Sequence, residues 1–168
     1  MENKNQEIIV FVEIPKGSFQ KYEFDEELGA IKLDRTLYGP MYFPFEYGFI
    51  KNTLGEDGDP LDCVLISSFS TFPGCLVKAR PIGILEMEDE EGIDHKILTL
   101  PDEKIDPRLA EIKEIKNLSE HSKKELKEFF ENYKNLEPGK WVKLKDFKDK
   151  KEAEKIIKEA KERYSQHK

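Results

Sequence analysis

The stretch that decides the fold is Ile8–Ile14, with the sequence IIVFVEI, which the segment Pro15–Ser18 follows directly. β-Branched and aromatic residues favour a strand, and the proline and glycine of the following segment stop it. Six further short strands are predicted along the first hundred residues: Lys21–Phe24, Ala30–Asp34 after a turn at Gly29, Gly48–Lys51, Cys63–Ile66, Leu76–Leu85 and Asp94–Leu100. Pro81 and Gly83 predict a bend within Leu76–Leu85. Many short strands with turns between them predict a closed or nearly closed β-barrel, because closure removes unpaired strand edges.

The last third of the sequence changes to a helical period. Ser122 and Glu125 have the spacing of a capping box, and apolar residues follow at helical intervals up to Tyr133. This pattern predicts a helix over about 122–135, ending before Pro138-Gly139.

A returning strand and a second helix complete the predicted order. The apolar pattern that begins at Trp141 predicts a strand over about 141–145 that rejoins the barrel of about 7–105. Asp149 then opens a helix over about 150–165. Its predicted inner face consists of Ala153, Ile156, Ile157, Ala160 and Tyr164. The fold class is therefore α+β, a small β-barrel with two C-terminal helices, and residues 1–168 are expected to form a single domain.

Composition narrows the function classes. The chain has 168 residues and a net charge of −7, which disfavours a nucleic-acid binder because phosphate backbones repel acidic proteins. No apolar run approaches the ~20 residues that span a bilayer, and the polar start of the chain does not resemble a signal peptide. Cys63 and Cys75 fit neither a metal knuckle nor a disulfide framework. We therefore expect a soluble protein of the cytoplasm.

The segment Glu56–Asp62, with the sequence EDGDPLD, carries the strongest chemical signal. Asp-Gly and Asp-Pro pairs also occur in ordinary polar turns, which is the plainer interpretation. However, Asp57, Asp59 and Asp62 repel one another, and such hard oxygen ligands suit Mg²⁺ or Ca²⁺. An EF-hand is excluded, because counting from Asp57 places Asp62 where that loop requires glycine. Magnesium is the first choice.

A second acidic group spans Glu86–Asp94, which alone is most simply interpreted as a solvated hairpin. Basic residues near strand or helix ends accompany the two acidic groups, and tyrosines stand beside them. Together, cations and a carboxylate cluster describe a site for a highly charged phosphate. The residues concerned are Lys21, Arg35, Lys96, Lys134, Tyr47 and Tyr133.

At this point the sequence resembles the soluble family I inorganic pyrophosphatases. Asp57–Asp62 matches the D-G-D-P-x-D signature of that family. Six other blocks fall in the family's order and comparable spacing between Ile8 and about Lys145: Glu13-Ile14-Pro15, Lys21-Tyr22-Glu23, Asp34-Arg35, Tyr47-Gly48-Phe49, Asp89-Glu90 with Asp94 and Lys96, and Phe130-Glu131 with Tyr133-Lys134. The resemblance implies an OB-like barrel that hydrolyses diphosphate to two phosphates with Mg²⁺.

The resemblance also implies a role for each matching residue. Asp57, Asp62 and Asp94 would hold the tightest metal, with Asp62 bridging to a second ion. Asp89, together with Asp94, would hold further metal that arrives with the substrate, and Asp59 would take the proton from the attacking water. The phosphate-binding set would be Lys21, Arg35, Tyr47, Tyr133 and Lys134, and the supporting residues would be Glu13, Glu23, Glu90 and Lys96. Family members of this length are commonly hexamers, so a homo-oligomer is expected.

Position 43 departs from the family pattern, which usually has tyrosine before Pro44 where this chain has Phe43. Tyr42 does not replace it, because neighbouring side chains of an extended segment face opposite ways. A hydrogen-bonding hydroxyl is therefore expected to be missing, an effect of roughly 1 kcal/mol. We expect weakened rather than abolished activity.

Two other function classes stay open at this stage. The aromatic stretch Tyr42–Phe49, with Lys51 nearby, would suit base stacking in a single-strand binder, although plain core packing is the simpler interpretation. The acidic segments would also suit a structural domain that binds a cation without catalysis. Steep salt dependence would indicate the first class, and cation binding without phosphate release would indicate the second.

Overall fold

The computed structural model describes residues 7–168. It contains nine strands and two α-helices, with short 3₁₀ turns between Pro101 and the first helix. The strands are β1 (Ile8–Ile14), β2 (Gln20–Asp25), β3 (Ala30–Thr36), β4 (Glu46–Ile50), β5 (Asp62–Leu65), β6 (Leu76–Asp89), β7 (Gly92–Ile93), β8 (Lys96–Pro101) and β9 (Val142–Lys148), and the helices are α1 (Glu120–Asn132) and α2 (Lys150–Gln166).

Five strands close into a ring. β1 pairs with β4, β4 with β5, β5 with β8 and β8 with β6, and β6 returns to β1. All of these pairs are antiparallel except β5 with β8. The predicted fold class, a closed β-barrel with two C-terminal helices, is confirmed.

The barrel interior follows from the alternation in β1. Ile8, Val10, Val12 and Ile14 are at most 2% exposed, while the intervening side chains are less buried. β-Branched residues fill such an interior well because they pack against neighbours on a pleated surface. Opposite β1, Gly48 of β4 is obligatory, because an added Cβ would lie 1.9 Å from the Phe11 carbonyl oxygen.

β6 is the longest strand, and it connects two parts of the sheet. Its first half belongs to the ring, and its second half pairs with β7 and β9 beyond the ring. The pairing register of β6 with β8 shifts between Pro81 and Gly83, so the predicted bend is confirmed. Gly83 lets the strands approach there, because a Cβ would lie 2.6 Å from the Lys148 carbonyl oxygen. The bend therefore carries Asp89 beyond the end of the ring.

The β2–β3 hairpin forms a separate two-stranded sheet outside the ring. Gly29, with φ of +63°, allows the turn that the sequence predicted there. The Phe24 amide donates a hydrogen bond of 2.8 Å to the Glu13 carboxylate, which ties the hairpin to β1. This arrangement places one face of the hairpin beside the barrel mouth.

The first helix begins earlier than the sequence predicted. Ser119, not Ser122, is its N-cap, and the Ser119 side chain accepts a hydrogen bond from the Ser122 amide. The capping-box assignment of Ser122 and Glu125 was therefore wrong, because an earlier serine already satisfies the exposed amides. Leu126, Phe129 and Phe130 form the buried stripe, and α1 ends at Asn132 rather than at about 135.

The second helix begins where the sequence predicted. The Asp149 side chain accepts a hydrogen bond from the Glu152 amide and caps α2. Ala153, Ile157 and Ala160 are its buried residues, whereas the strand before it runs from Val142 to Lys148 and leaves Trp141 outside. Among residues 7–168, neither helix combines the length and the apolar character that crossing a bilayer requires.

Candidate active site

One cleft of about 660 Å³ lies at the barrel mouth, between the ring, the β2–β3 hairpin and the segment after α1. Every residue that the sequence singled out as a site residue lines it. They are Asp59; Lys21, Arg35, Tyr47, Tyr133 and Lys134; Asp57, Asp62, Asp89 and Asp94; and Glu13, Glu23, Glu90 and Lys96. The two acidic segments, far apart in sequence, thus meet in a single cavity.

The first acidic loop, Gly55–Asp62, leads from β4 into β5. The Asp57 carboxylate accepts a hydrogen bond of 3.0 Å from the Asp59 amide, and the Gly55 amide bonds the Asp59 carbonyl oxygen at 2.7 Å. Gly58 has φ of +90°, a conformation that glycine adopts without strain. These contacts curl the loop tightly and leave Asp57 and Asp59 exposed to solvent.

Negative charge accumulates in this loop. Burial, followed by the charges of Asp57 and Asp62, raises the pKa of Asp59 above its usual value. Within residues 7–168, no basic side chain lies within ion-pair distance of Asp57 or Asp59 (the closest ion pair in the loop involves Asp62). The protein itself therefore leaves part of this charge uncompensated.

The second acidic loop, Asp89–Asp94, connects β6 and β8 through β7. Asp89 accepts a hydrogen bond of 3.0 Å from Lys134 Nζ and another of 2.9 Å from the Glu91 amide. Burial alone would raise the pKa of Asp89, but these hydrogen bonds and the Lys134 charge lower it overall. Asp89 is accordingly paired with a cation of the protein itself.

Lys96 joins the two loops. Its Nζ lies 3.1 Å from Asp62 Oδ2 and 2.8 Å from Asp94 Oδ1, and it also donates a hydrogen bond to the Tyr47 hydroxyl. Burial alone would lower the pKa of Lys96, but the charges around it, Asp62 first, raise it well above its usual value. Lys96 therefore stays protonated and holds the first residue of β5 beside the start of β8.

The cations on the opposite side come from the hairpin. Lys21 on β2 and Arg35 on β3 are paired in register, and both donate hydrogen bonds to Asp34. The Arg35 side chain is 18% exposed and also contacts Glu137. Together with Lys134 from the end of α1, these groups form the positive side of the cleft.

An aromatic cluster supports the two tyrosines of the cleft. Tyr133 stacks on Phe129 at 4.9 Å between ring centroids, and the Phe43 ring lies 4.6 Å from Phe129 and 5.8 Å from Tyr47. Phe43 is 2% exposed and does not line the cleft. Phe43 and Phe45 are core residues, so core packing explains these two members of the aromatic stretch.

The supporting acidic residues have different surroundings. Burial raises the pKa of Glu13 to about 7, in spite of the hydrogen bond from the Phe24 amide. Glu23 lies 3.6 Å from Lys32, and Glu90 lies 3.7 Å from Lys134. Glu13 is thus the member of this set that the fold shields most from solvent.

Besides Glu91, which lies within the predicted second acidic group, sequence reasoning missed three charged groups at this site. Glu26 and Lys140 line the cleft, and Glu137 lies behind it against Arg35. The turn after α1, which carries Glu137 and Lys140, has a composition typical of an exposed loop. Nothing in its local pattern shows that the chain folds back against the hairpin, so only the tertiary structure reveals these residues.

The donor set suits a divalent cation. Aspartate oxygens are the ligands that Mg²⁺ prefers, and Asp57 and Asp59 have no protein cation near them within the described chain. Among residues 7–168, no three acidic, imidazole or thiol side chains are already arranged around one point as a metal would need. Lys96 Nζ contacts the carboxylates of Asp62 and Asp94, and Lys134 Nζ contacts that of Asp89.

Comparison with known proteins agrees with this site. A model of the inorganic pyrophosphatase family matches residues 10–165. The chain is 52% identical to an inorganic pyrophosphatase of Nanoarchaeum equitans over 94% of this chain and 98% of the relative. It is 47% identical to one of Aquifex pyrophilus over 97% of this chain and 92% of the relative.

Solved structures agree as well. An inorganic pyrophosphatase of Helicobacter pylori superposes with a TM-score of 0.93 at 46% identity, covering 98% of this chain and 96% of that one. One from Thermus thermophilus has a TM-score of 0.93 at 43% identity, covering 98% and 95%. The shared OB-like fold, the continuous match and the acidic cleft lead to one conclusion: the chain belongs to the inorganic pyrophosphatase family and is an enzyme that hydrolyses inorganic diphosphate.

Proposed function

We propose that the reaction requires Mg²⁺ and that water attacks the diphosphate directly, giving two orthophosphates without a covalent intermediate. The observation that carries this proposal is the meeting of two acidic loops and a set of cations in one cleft. Diphosphate is a polyanion, so binding it beside so many carboxylates requires additional positive charge. A divalent cation supplies that charge.

The carboxylates divide into two groups of metal ligands. Asp57, Asp62 and Asp94 would hold the tightest Mg²⁺, with Asp62 bridging to a second ion. Asp89, together with Asp94, would hold the metal that enters with the substrate. When bound, Mg²⁺ would lower the pKa of coordinated water and screen the phosphate oxygens.

Asp59 is the general base. It lies two residues after Asp57 and is exposed to the cleft, so it can reach a water held there. The neighbouring acidic charges that raise its pKa also make its carboxylate a better proton acceptor. Asp59 would remove the proton from the attacking water and then release it to solvent.

The basic side of the cleft binds the substrate. Arg35 presents a planar fork that matches two phosphate oxygens, while Lys21 and Lys134 act as point charges. Tyr47 and Tyr133 would donate hydrogen bonds, because burial raises the pKa of both hydroxyls and keeps them protonated. These groups position the diphosphate in the cleft.

The whole chain is proposed to act as one domain, because the cleft draws on residues from Glu13 to Lys140. We also propose that it works in the cytoplasm as a homo-oligomer, a hexamer by analogy with family members of similar length. Its net charge of −7 and its acidic cleft argue against nucleic acid as a partner. Native mass spectrometry of the purified protein tests the assembly, and a monomer would contradict it.

The test of the reaction is orthophosphate release from diphosphate. Release is expected with Mg²⁺, should stop when EDTA removes the metal, and should fall when fluoride is added. Asp59→Asn in the same assay separates the specific site from a contaminating phosphatase. Equal release with and without divalent metal would contradict the proposed magnesium requirement.

A further inference from the structure

Glu137 is a buried carboxylate that the proposed reaction does not use. It lies in the turn between α1 and β9, its side chain is only 4% exposed, and it does not line the cleft. Removing a carboxylate from water costs several kcal/mol unless charged partners compensate it. Its partners therefore indicate why it is there.

Those partners are cations of the cleft. Glu137 Oε1 lies 2.8 Å from Arg35 Nε, and its Oε2 accepts a hydrogen bond of 3.3 Å from Arg35 Nη2. Lys140 Nζ lies 3.2 Å from Oε1. The Nε contact is an ion pair without hydrogen-bond geometry, so the carboxylate holds the guanidinium in position through its charge and through the single hydrogen bond from Nη2.

Other buried carboxylates of this protein behave differently. Glu46 accepts hydrogen bonds from the Lys16 and Thr71 amides, and Asp106 accepts them from the Ser68 and Arg108 amides. Those two residues hold loops in place. The contacts of the Glu137 carboxylate are instead with the basic side chains of Arg35 and Lys140, both of which line the cleft.

Within the β2–β3 hairpin the Arg35 guanidinium donates a hydrogen bond to Asp34, and Glu137 supports it from outside the hairpin. Arg35 stands on the β2–β3 hairpin, which is outside the barrel ring. Its guanidinium is at the end of a long side chain with many rotamers. The Glu137 amide is bonded to the Lys134 carbonyl oxygen at 2.9 Å, so Glu137 is fixed to the segment that carries Lys134. Glu137 thus sets the placement of Arg35 relative to Lys134 across two independent elements.

We propose that Glu137 is a positioning residue that holds the Arg35 guanidinium ready for one phosphate group of diphosphate. The proposal rests on the phosphate-binding role of Arg35 proposed above. Glu137 acts through Arg35, so it affects substrate binding rather than the proton transfer at Asp59. Since Arg35 would bind substrate and transition state alike, losing its support should raise KM more than it lowers kcat.

The test combines Glu137→Gln, Arg35→Lys and the double variant with steady-state kinetics on magnesium diphosphate. Glu137→Gln keeps the shape of the side chain but removes its charge, and we expect KM to rise about tenfold with kcat within about twofold. In the Arg35→Lys background, which lacks the fork, the same change should alter KM less than about twofold. Asp106→Asn, another buried carboxylate, serves as the matched control and should leave KM unchanged.

Several results would overturn the proposal. An unchanged KM in Glu137→Gln would do so, as would a lower KM, which would make Glu137 a competitor of phosphate. If KM of the double variant rose by the product of the two single-variant factors, Glu137 would act independently of Arg35. If Arg35→Lys itself leaves KM unchanged, the phosphate role of Arg35 fails first, which is a separate result.

A second variant keeps the test decisive if Glu137→Gln does not fold. Glu137→Asp retains the charge but is one methylene shorter, so it can reach fewer of the guanidinium nitrogens. A KM rise of about threefold is expected, between wild type and Glu137→Gln. Wild-type KM in a variant that retains the wild-type circular dichroism spectrum would contradict the positioning role.

Discussion

The two acidic loops of the cleft solve the same electrostatic problem in opposite ways. In the second loop, Asp89 and Asp94 are half-buried or buried and each contacts a lysine Nζ within 3.0 Å. In the first loop, Asp57 and Asp59 are exposed, and within residues 7–168 neither has a basic partner. Asp89 and Asp94 of the second loop are thus paired with lysines, whereas Asp57 and Asp59 of the first loop are not paired within the described chain.

This difference separates two tasks. Aspartates that are already paired with lysines have their positions set before anything binds, so they fix the geometry of the cleft. A charged loop stores repulsion that an incoming cation relieves, so it contributes affinity and basicity. The boundary between the two runs through Asp62, which belongs to the first loop but contacts Lys96 at 3.1 Å.

Replacing the exposed carboxylate of Asp59 tests the charged loop most severely. Asp59→Asn should lower turnover about 10³-fold, because an amide cannot accept the proton from water. Mg²⁺ binding, measured by isothermal titration calorimetry, should be nearly intact. Glu56→Gln, in the same loop but outside the cleft lining, is the control. Wild-type turnover in Asp59→Asn would remove Asp59 from the base role.

Lys96→Met tests the aspartates that are paired with a lysine. It leaves Asp62 and Asp94 without their shared cation, and the free energy of unfolding should fall by about 3 kcal/mol. Urea denaturation in EDTA measures this loss. Lys145→Met, which removes a half-exposed ion pair with Glu88, should cost less than about 1 kcal/mol. Equal losses in the two variants would show that Lys96 does not compensate the loops.

Asp62→Asn tests the boundary residue. Losing one charged ligand should raise the Mg²⁺ concentration for half-maximal activity about tenfold or more, because affinity follows the number of charged ligands. The measurement is a magnesium titration of phosphate release at saturating diphosphate. Asp146→Asn, at an exposed position of β9, is the control. An unmoved titration curve would make the bridging assignment wrong.

The smallest expected effect comes from replacing a glycine of the first acidic loop. In Gly55→Ala, the new Cβ would lie 2.9 Å from Asp57 Oδ1 and 3.1 Å from the Asp59 carbonyl oxygen. Displacing Asp57 should raise the magnesium requirement about fivefold, equivalent to about 1 kcal/mol. Gly92→Ala in the second loop meets no atom within 4 Å, although its φ of +122° strains any other residue. Gly92→Ala should lower the free energy of unfolding without changing the magnesium requirement. A larger shift of the magnesium requirement in Gly92→Ala than in Gly55→Ala would contradict this prediction.

Local pattern was sufficient for much of the fold. The β-branched and aromatic residues of Ile8–Ile14 predicted β1, and Pro81 with Gly83 predicted the bend in β6. Closure of the ring by β1 and β6 was inferred only as a general need to cover edges, since pairing between such distant segments leaves no local signal. The start of α1 was misplaced because Ser119 and Ser122 are both residues that can cap a helix, and the Ser122 amide is itself a donor to the Ser119 side chain.

The candidate site, like the fold, could be predicted only in part from the sequence. The signature Asp57–Asp62 and the ordered blocks around it predicted the residues that meet in the cleft. What could not be predicted is which carboxylates are neutralised, because Lys96 and Lys134 reach their partners only through tertiary packing. Phe43 shows the same limit, because its burial behind Tyr47 follows from α1 and not from its neighbours in sequence.

The docking of β9 and α2 on the barrel affects when the protein can become active during its synthesis. β9 pairs with the outer half of β6, and the Leu54 amide next to the first acidic loop bonds the Ala160 carbonyl oxygen of α2 at 3.0 Å. During synthesis the support of the first acidic loop is incomplete until β9 and α2 have emerged and folded against the barrel. Hydrolytic activity is therefore expected only from chains in which these two elements have docked.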